Sequence, residues 1–151
     1  MRRPHRATYA IEVKLKVLTY TSWARAGIRA DEVDSILSSA RVNNPLEGLT
    51  GVLIFNGDSF MQILEGGEAA VDGLVERLRI DPRHSNMAIR DERMIETRTF
   101  PDWSMAYLRL EDGVFHGEEA VERALRRDLP QSLRNMVSGL THSIRQAERP
   151  A

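Results

Sequence analysis

The alternation of apolar and polar positions divides the chain into short elements of two periods. Val13, Leu15 and Val17 alternate with Lys14 and Lys16, the period of a half-buried strand, and toward Tyr20 both faces turn apolar. Residues 23–27 read as a turn. Over 30–42, Val33, Ile36, Leu37 and Ala40 recur at helical spacing, opposite Asp31, Glu32, Asp34, Ser38 and Arg41. Asp31 and Glu32 suit the positive end of a helix dipole. Arg29 stands where Ser, Thr or Asp is the usual N-cap. Asn43-Asn44-Pro45 is expected to stop this helix, because proline disfavours helical geometry in the residue before it. Residues 49–55 are apolar on both faces, as in a central strand covered on both sides. Asn56-Gly57 then predicts a tight hairpin with both residues at positive φ, returning through 60–65. Val71, Leu74, Val75 and Leu78 form the stripe of a second helix over 68–79, ended by Asp81-Pro82-Arg83-His84. A strand over 87–96 with Met87, Ile89 and Ile95 inward, a turn at Phe100-Pro101-Asp102 and a last strand over 103–110 follow.

The order is strand, helix, strand, strand, helix, strand, strand. Right-handed crossovers place both helices on one face of one sheet. The expected fold is therefore an α+β ferredoxin-like sandwich (βαββαββ), with two helices on one face of a five-stranded sheet. Residues 13–110 form the expected domain, after a flexible segment, 1–12. In 111–151, Val121, Leu125 and Leu129 fall four apart, and Leu133, Met136, Val137, Leu140 and Ile144 share a stripe. These are two amphipathic helices separated at Pro130, expected to cover the sheet face without helices. Packing on a second copy or on a partner is the alternative.

Composition narrows the function classes. The 151 residues carry 21 Lys and Arg against 22 Asp and Glu, a net charge of −1, which gives nucleic acid no electrostatic footprint. No cysteine is present, so there is no disulfide, thiolate metal site or thiol nucleophile. No apolar run reaches the ~18 residues of a membrane span. The basic start (Arg2, Arg3, Arg6) precedes no signal-peptide core. A cytoplasmic protein with no membrane partner is expected. His5, His84, His116 and His142 have no metal-ligand spacing. No phosphate-binding glycine loop or serine elbow occurs. Glu47 and Glu65, in two Leu-Glu-Gly triplets, are expected to be surface residues at strand ends.

What remains is a set of hydrogen-bonding side chains that the topology gathers. Strands one and three are neighbours in such a sheet, so Gln62 can lie beside Tyr20. Asn43 and Asn44 close the first helix, and Arg83 and His84 follow the second. A cleft between the helices would have amides and a phenol at its base and a cationic pair at its rim. Amides match a ring that presents both donors and acceptors, and an Arg-His pair can hold a phosphate. Local pattern alone favours a plainer account, with Gln62 a satisfied core amide and the asparagines helix caps.

Six segments change that balance: Tyr20-Thr21-Ser22, Asn43-Asn44, Leu49-Thr50-Gly51, Phe60-Met61-Gln62-Ile63-Leu64-Glu65-Gly66, Asp81-Pro82-Arg83-His84 and Phe100-Pro101-Asp102-Trp103-Ser104-Met105. In this order and spacing, from Leu15 to Leu108, the chain resembles the BLUF domain family of blue-light sensors that use flavin. The resemblance implies a non-covalent flavin between the two helices, usually FAD, with FMN or riboflavin as substitutes in recombinant protein. It implies Ile36 packed on the ring, Asn44 with Asn43 at its pyrimidine edge, and Arg83 and His84 toward the ribityl-phosphate side. Tyr20 would donate an electron and then a proton. Gln62 would rearrange by rotation or tautomerisation, and Trp103 and Met105 would pass the signal to the sheet. Trp23, three residues after Tyr20, is either a competing electron donor or a surface contact. The implied protein is a photoreceptor and not an enzyme, with a sensor and a helical tail that regulates a separate partner and with homo-oligomers open. The rivals are a small flavin-dependent oxidoreductase, a ferredoxin-like interaction module without photochemistry and an RNA-binding module.

Overall fold

A computed structural model describes residues 14–102, 104–111 and 114–116. Its elements are β1 (Leu15–Ala24), α1 (Ala30–Glu47), β2 (Thr50–Phe55), β3 (Ser59–Gly67), α2 (Glu68–Arg79), β4 (His84–Ile95), β5 (Ala106–Glu111) and β6 (Val114–His116). The sheet order is β4-β1-β3-β2-β5-β6. The first four strands are the antiparallel ferredoxin-like set; β5 joins parallel to β2, and three-residue β6 extends that edge beyond the five strands expected. The tail after residue 116, with its expected helices, lies outside the described residues, as do residues 1–13.

Period explains the two layers. Leu18, Leu53, Phe55, Phe60 and Leu64 join Val33 and Leu37 of α1 and Val71 and Val75 of α2 in one core. The alternate positions, including Val52, Ile54, Met61, Ile63 and Leu108, are equally buried on the opposite face. Lys16, only 7% exposed, pairs with Asp72 of α2 at 2.7 Å and with Glu92 of β4, tying helix to edge strand.

Four local expectations are corrected. Residues 23 and 24 continue β1 instead of turning, because Trp23 and Ala24 pair with the end of β4. Helix α1 runs through Asn43, Asn44 and Pro45 to Glu47. Proline there lies in the last turn and removes a single helical hydrogen bond; the stop is Gly48, left-handed at φ 66°, whose amide caps the carbonyls of Asn44 and Pro45. In the hairpin only Gly57 of the Asn-Gly pair has positive φ. Asn56 instead accepts from the amides of Asp58 (3.0 Å) and Ser59 (2.7 Å) through its side chain, which satisfies the turn without left-handed geometry. Met105 precedes β5 instead of lying on it. Gly51 is fixed by contact: a β-carbon there would stand 1.9 Å from the Ile63 carbonyl oxygen.

Candidate functional site

A cavity of about 410 Å³ opens between α1 and α2 over the middle of the sheet. It follows from how the helices divide their apolar stripes. Val33, Leu37, Val71 and Val75 are buried against the sheet, whereas Ile36, Ala40, Leu74 and Leu78 turn to the space between the helices. Leu53 and Phe60 complete an apolar wall. Asn44 occupies the next inward position of the α1 stripe and is 4% exposed, an amide where periodicity calls for an aliphatic side chain.

The polar floor is a short relay. Tyr20 of β1 and Gln62 of β3 are directly opposed in the ladder. The Tyr20 hydroxyl donates to Gln62 Oε1 at 2.5 Å, with both residues buried. Gln62 Nε2 donates in turn to Met105 Sδ at 3.5 Å. Burial pushes the Tyr20 phenol well above its ordinary value, and the charge of Asp81 adds to this. The phenol is therefore neutral and donating throughout the working pH range.

The segment carrying Met105 is pinned from α1. Asn44 Nδ2 donates to the Ser104 carbonyl at 2.7 Å, and Arg41 Nε to the Met105 carbonyl at 3.1 Å. A carbonyl only accepts, so the Asn44 amide is oriented with its nitrogen toward Ser104. Its oxygen, with no partner among the described residues, is left for a donor in the cavity. Asn43 lines the cavity from an exposed position.

At the far end the cationic rim is balanced by a carboxylate that the sequence reading did not assign to the site. Arg83 binds Asp81 through Nε and Nη2, the latter at 2.6 Å. This pairing, led by the hydrogen bond, holds the Asp81 carboxyl below its usual range. Both His84 ring nitrogens are spent, Nδ1 on Ser22 Oγ (2.7 Å) and Nε2 on the Leu78 carbonyl (2.5 Å). The carbonyl requires the proton on Nε2. The His84 ring lies 6.1 Å from that of Tyr20, so His84 contributes a wall and no vacant donor. Glu47 and Arg77, also missed, line the cavity and pair across it from α1 to α2 at 2.8 Å.

Tyr20, Ile36, Asn43, Asn44, Gln62, Arg83 and His84 thus line one cavity, with Met105 against its floor. Trp103 lies outside the described residues. Trp23 does not line this cavity; half-buried, it borders a separate recess with Arg25, Pro82 and Ser85. The expectation for Glu65 is corrected: it is 0% exposed, because its carboxylate is enclosed by the Thr99 and Phe100 amides beneath the sheet. Glu47 is a surface residue as expected, but it ends helix α1 and not a strand, because the helix runs on past Pro45. Asp81 was within reach of sequence reasoning, two residues before Arg83 in a segment already singled out; Arg77 carried no such signal. Among the described residues no cluster of His, Asp and Glu could hold a metal ion, and no helix is long and apolar enough to cross a membrane.

Apolar walls on two sides, with amide donors and acceptors around one edge, suit a flat heteroaromatic ligand. Residues 15–106 match the family described as "BLUF: Sensors of blue-light using FAD". That match spans well over half of the chain, and the chain belongs to this family: it is a blue-light sensor that binds a flavin. The photoactivated adenylate cyclase subunit beta of Euglena gracilis is 30% identical over 95 residues, 62% of this chain and 11% of that protein. The blue light- and temperature-regulated antirepressor BluF of Escherichia coli K12 is 36% identical over 73 residues, 48% of this chain and 18% of that protein. The chain thus spans a small part of the curated relatives it matches. Among solved structures, the BLUF protein BlrB in its dark state superposes with a TM-score of 0.65 at 34% identity, covering 87% of this chain and 95% of that one. Klebsiella pneumoniae BlrP1 gives 0.71 at 28% identity, covering 85% of this chain and 33% of that one.

Proposed function

We propose that this chain binds FAD in the cavity between α1 and α2, that Tyr20 and Gln62 carry out the photochemistry, and that Met105 carries the signal away. The observation that supports this most directly is the buried 2.5 Å hydrogen bond from Tyr20 to Gln62 Oε1, continued by Nε2 to Met105. The residues fit the group: Ile36 and Leu74 line the cavity where a ring would pack, the uncommitted Asn44 oxygen would accept from its edge, and Arg83 would hold a phosphate oxygen through Nη1. Bound flavin supplies blue-light absorption and an acceptor for one electron.

The rest follows from the chain's own groups. Tyr20 is the electron donor, and a phenol that has lost an electron is strongly acidic. Its hydrogen bond to Gln62 Oε1 is the path by which that proton would leave and, when the electron comes back, return, so that the amide ends neutral. When the amide rearranges, by rotation or tautomerisation, its hydrogen-bonding pattern changes. Rotation would set Oε1 against Met105 Sδ, acceptor facing acceptor, and Met105 would have to withdraw. Withdrawal loosens the segment that Asn44 and Arg41 hold, and so reaches the sheet edge and α1. Residues 13–110 act as the sensor, and the amphipathic tail, 111–151, conveys the change, with Trp103 assisting Met105.

The output is delivered to a separate protein. The names of relatives, a photoactivated adenylate cyclase and a light-regulated antirepressor, associate light with an effector in those proteins. This chain is not itself the enzyme, and it acts away from nucleic acid and membrane.

A visible spectrum of the purified protein before and just after blue light tests the reading. Flavin bands that shift slightly to the red and recover in darkness are expected. Bands that bleach instead would point to an oxidoreductase, and a protein that stays colourless after FAD is added would end the proposal.

A further inference from the structure

The Glu65 carboxylate is spent on backbone, and that backbone leads to Met105. Successive residues of a strand point to opposite faces, so Gln62 and Glu65 lie on different sides of β3. Gln62 faces the cavity. Glu65, on the other side, accepts from the Thr99 amide through Oε2 and from the Phe100 amide through Oε1, both at 2.7 Å. Burial raises the Glu65 carboxyl above its ordinary value, and the two amides and the nearby Arg98 charge offset only part of this. Arg98 is fastened at the same place: Nη2 donates to the Gly48 carbonyl at 2.6 Å, and Nη1 to Thr50 Oγ1 at 2.9 Å and to the Glu65 carbonyl at 3.2 Å.

From Phe100 the chain comes round to the cavity side within five residues, where Met105 Sδ meets Gln62 Nε2. The path is only five residues long, and at about 3.6 Å of reach per residue its two ends stay within about 18 Å of each other. Two consecutive amides converging on both oxygens of one carboxylate fix its starting point in position and direction. Asn44 and Arg41 fix its end.

We propose that Glu65 is a positioning residue of the light response: its grip on residues 99 and 100 sets how firmly the following segment presses Met105 on Gln62, and thereby how fast a displaced Met105 returns in darkness. This rests on the reading of Gln62 and Met105 given above. The grip lies beneath the sheet, so it acts on the relay without touching the cavity.

Glu65→Gln in the full, flavin-loaded chain is the test. An amide offers one acceptor, and its NH₂ would face one of the two backbone N–H groups, so one anchor is lost. The dark spectrum should match the parent, because the cavity is unchanged. The red shift should still form. Dark recovery should change by about threefold or more, which needs only a fraction of one hydrogen bond applied to the barrier. In methionine methyl-labelled protein, the Met105 NMR signal should move in the dark. A role confined to stability would lower the melting temperature alone; parental recovery with an unmoved Met105 signal overturns the proposal. If the variant does not fold, exchange of the Thr99 and Phe100 amides in the parent decides: protection should fall under continuous light, and equal protection in light and dark overturns it. Should the parent show no reversible red shift, the photochemical reading fails separately, while the dark Met105 signal still reports whether Glu65 sets its position.

Discussion

Tyr20 and Gln62 should behave as one energetic unit, which a double-mutant cycle can measure. Tyr20→Phe removes the hydroxyl and leaves Gln62 Oε1 without its donor at a residue 6% exposed. Gln62→Leu leaves the Tyr20 hydroxyl unpaired at a residue 3% exposed. Each single change should cost about 1–3 kcal/mol, the penalty of an unsatisfied buried group. The double variant leaves neither group behind, and replacing both partners with apolar ones is close to neutral. It should therefore cost less than the sum by about 1–2 kcal/mol, within the range found for residues in contact. The assay is denaturant unfolding of the parent, both singles and the double, at one saturating flavin concentration, because bound ligand adds to apparent stability. Costs that add to within ~0.5 kcal/mol would show the two residues to be independent and would refute the relay. The same samples carry a second readout. Both singles should keep flavin and lose the reversible red shift; a full-sized shift in Gln62→Leu would remove Gln62 from the mechanism.

Asp81 should make the fold sensitive to acid. Its carboxyl is depressed by Arg83, so below its ordinary value of 3.8 the unfolded chain binds more protons than the folded one, and stability falls with pH. Asp81→Asn should cost about 1 kcal/mol at neutral pH and flatten that part of the acid unfolding curve; an unchanged curve would contradict it. Glu47→Gln breaks the exposed bridge to Arg77 and should change stability by less than ~1 kcal/mol. Stopped-flow should find flavin release faster; unchanged release would show that the bridge does not close the mouth. Gly51→Ala forces β2 away from the Ile63 carbonyl and should cost at least about 3 kcal/mol in denaturant unfolding, and a cost below ~1 kcal/mol would contradict that close approach. Hydrogen exchange over residues 117–149 should differ between light and dark, and identical protection would remove the tail from the output.

Much of the fold was legible because its signals are local. The α2 stripe of Val71, Leu74, Val75 and Leu78 marks a helix whose observed bounds, Glu68–Arg79, coincide with the expected ones. The both-sides-apolar run before Asn56-Gly57 marks a central strand, and β2 is buried on both faces. The misreadings share a cause: a local rule met a tertiary contact. Proline normally ends a helix, yet α1 passes it because Asn44 is drawn inward to Ser104 and Gly48 supplies the cap three residues beyond Pro45. Glu65 looked like a strand-end surface residue because nothing near it in sequence could satisfy a buried carboxylate. Its partners are 34 and 35 residues away.

By itself the sequence determined the order of elements, the crossover that makes Tyr20 and Gln62 neighbours, and the family. These follow from periodicity, handedness and motif spacing, all written along the chain. Only the tertiary structure decided that the two side chains meet at hydrogen-bond distance, that Asn44 spends its nitrogen on Ser104 and keeps its oxygen for the cavity, that Arg83 is already matched by Asp81, and that Glu65 anchors the path to Met105. The physical reason is that a hydrogen bond depends on tenths of an ångström and on direction. Those are set where strands, helices and loops from distant parts of the chain pack together, whereas sequence spacing places a residue only on a face.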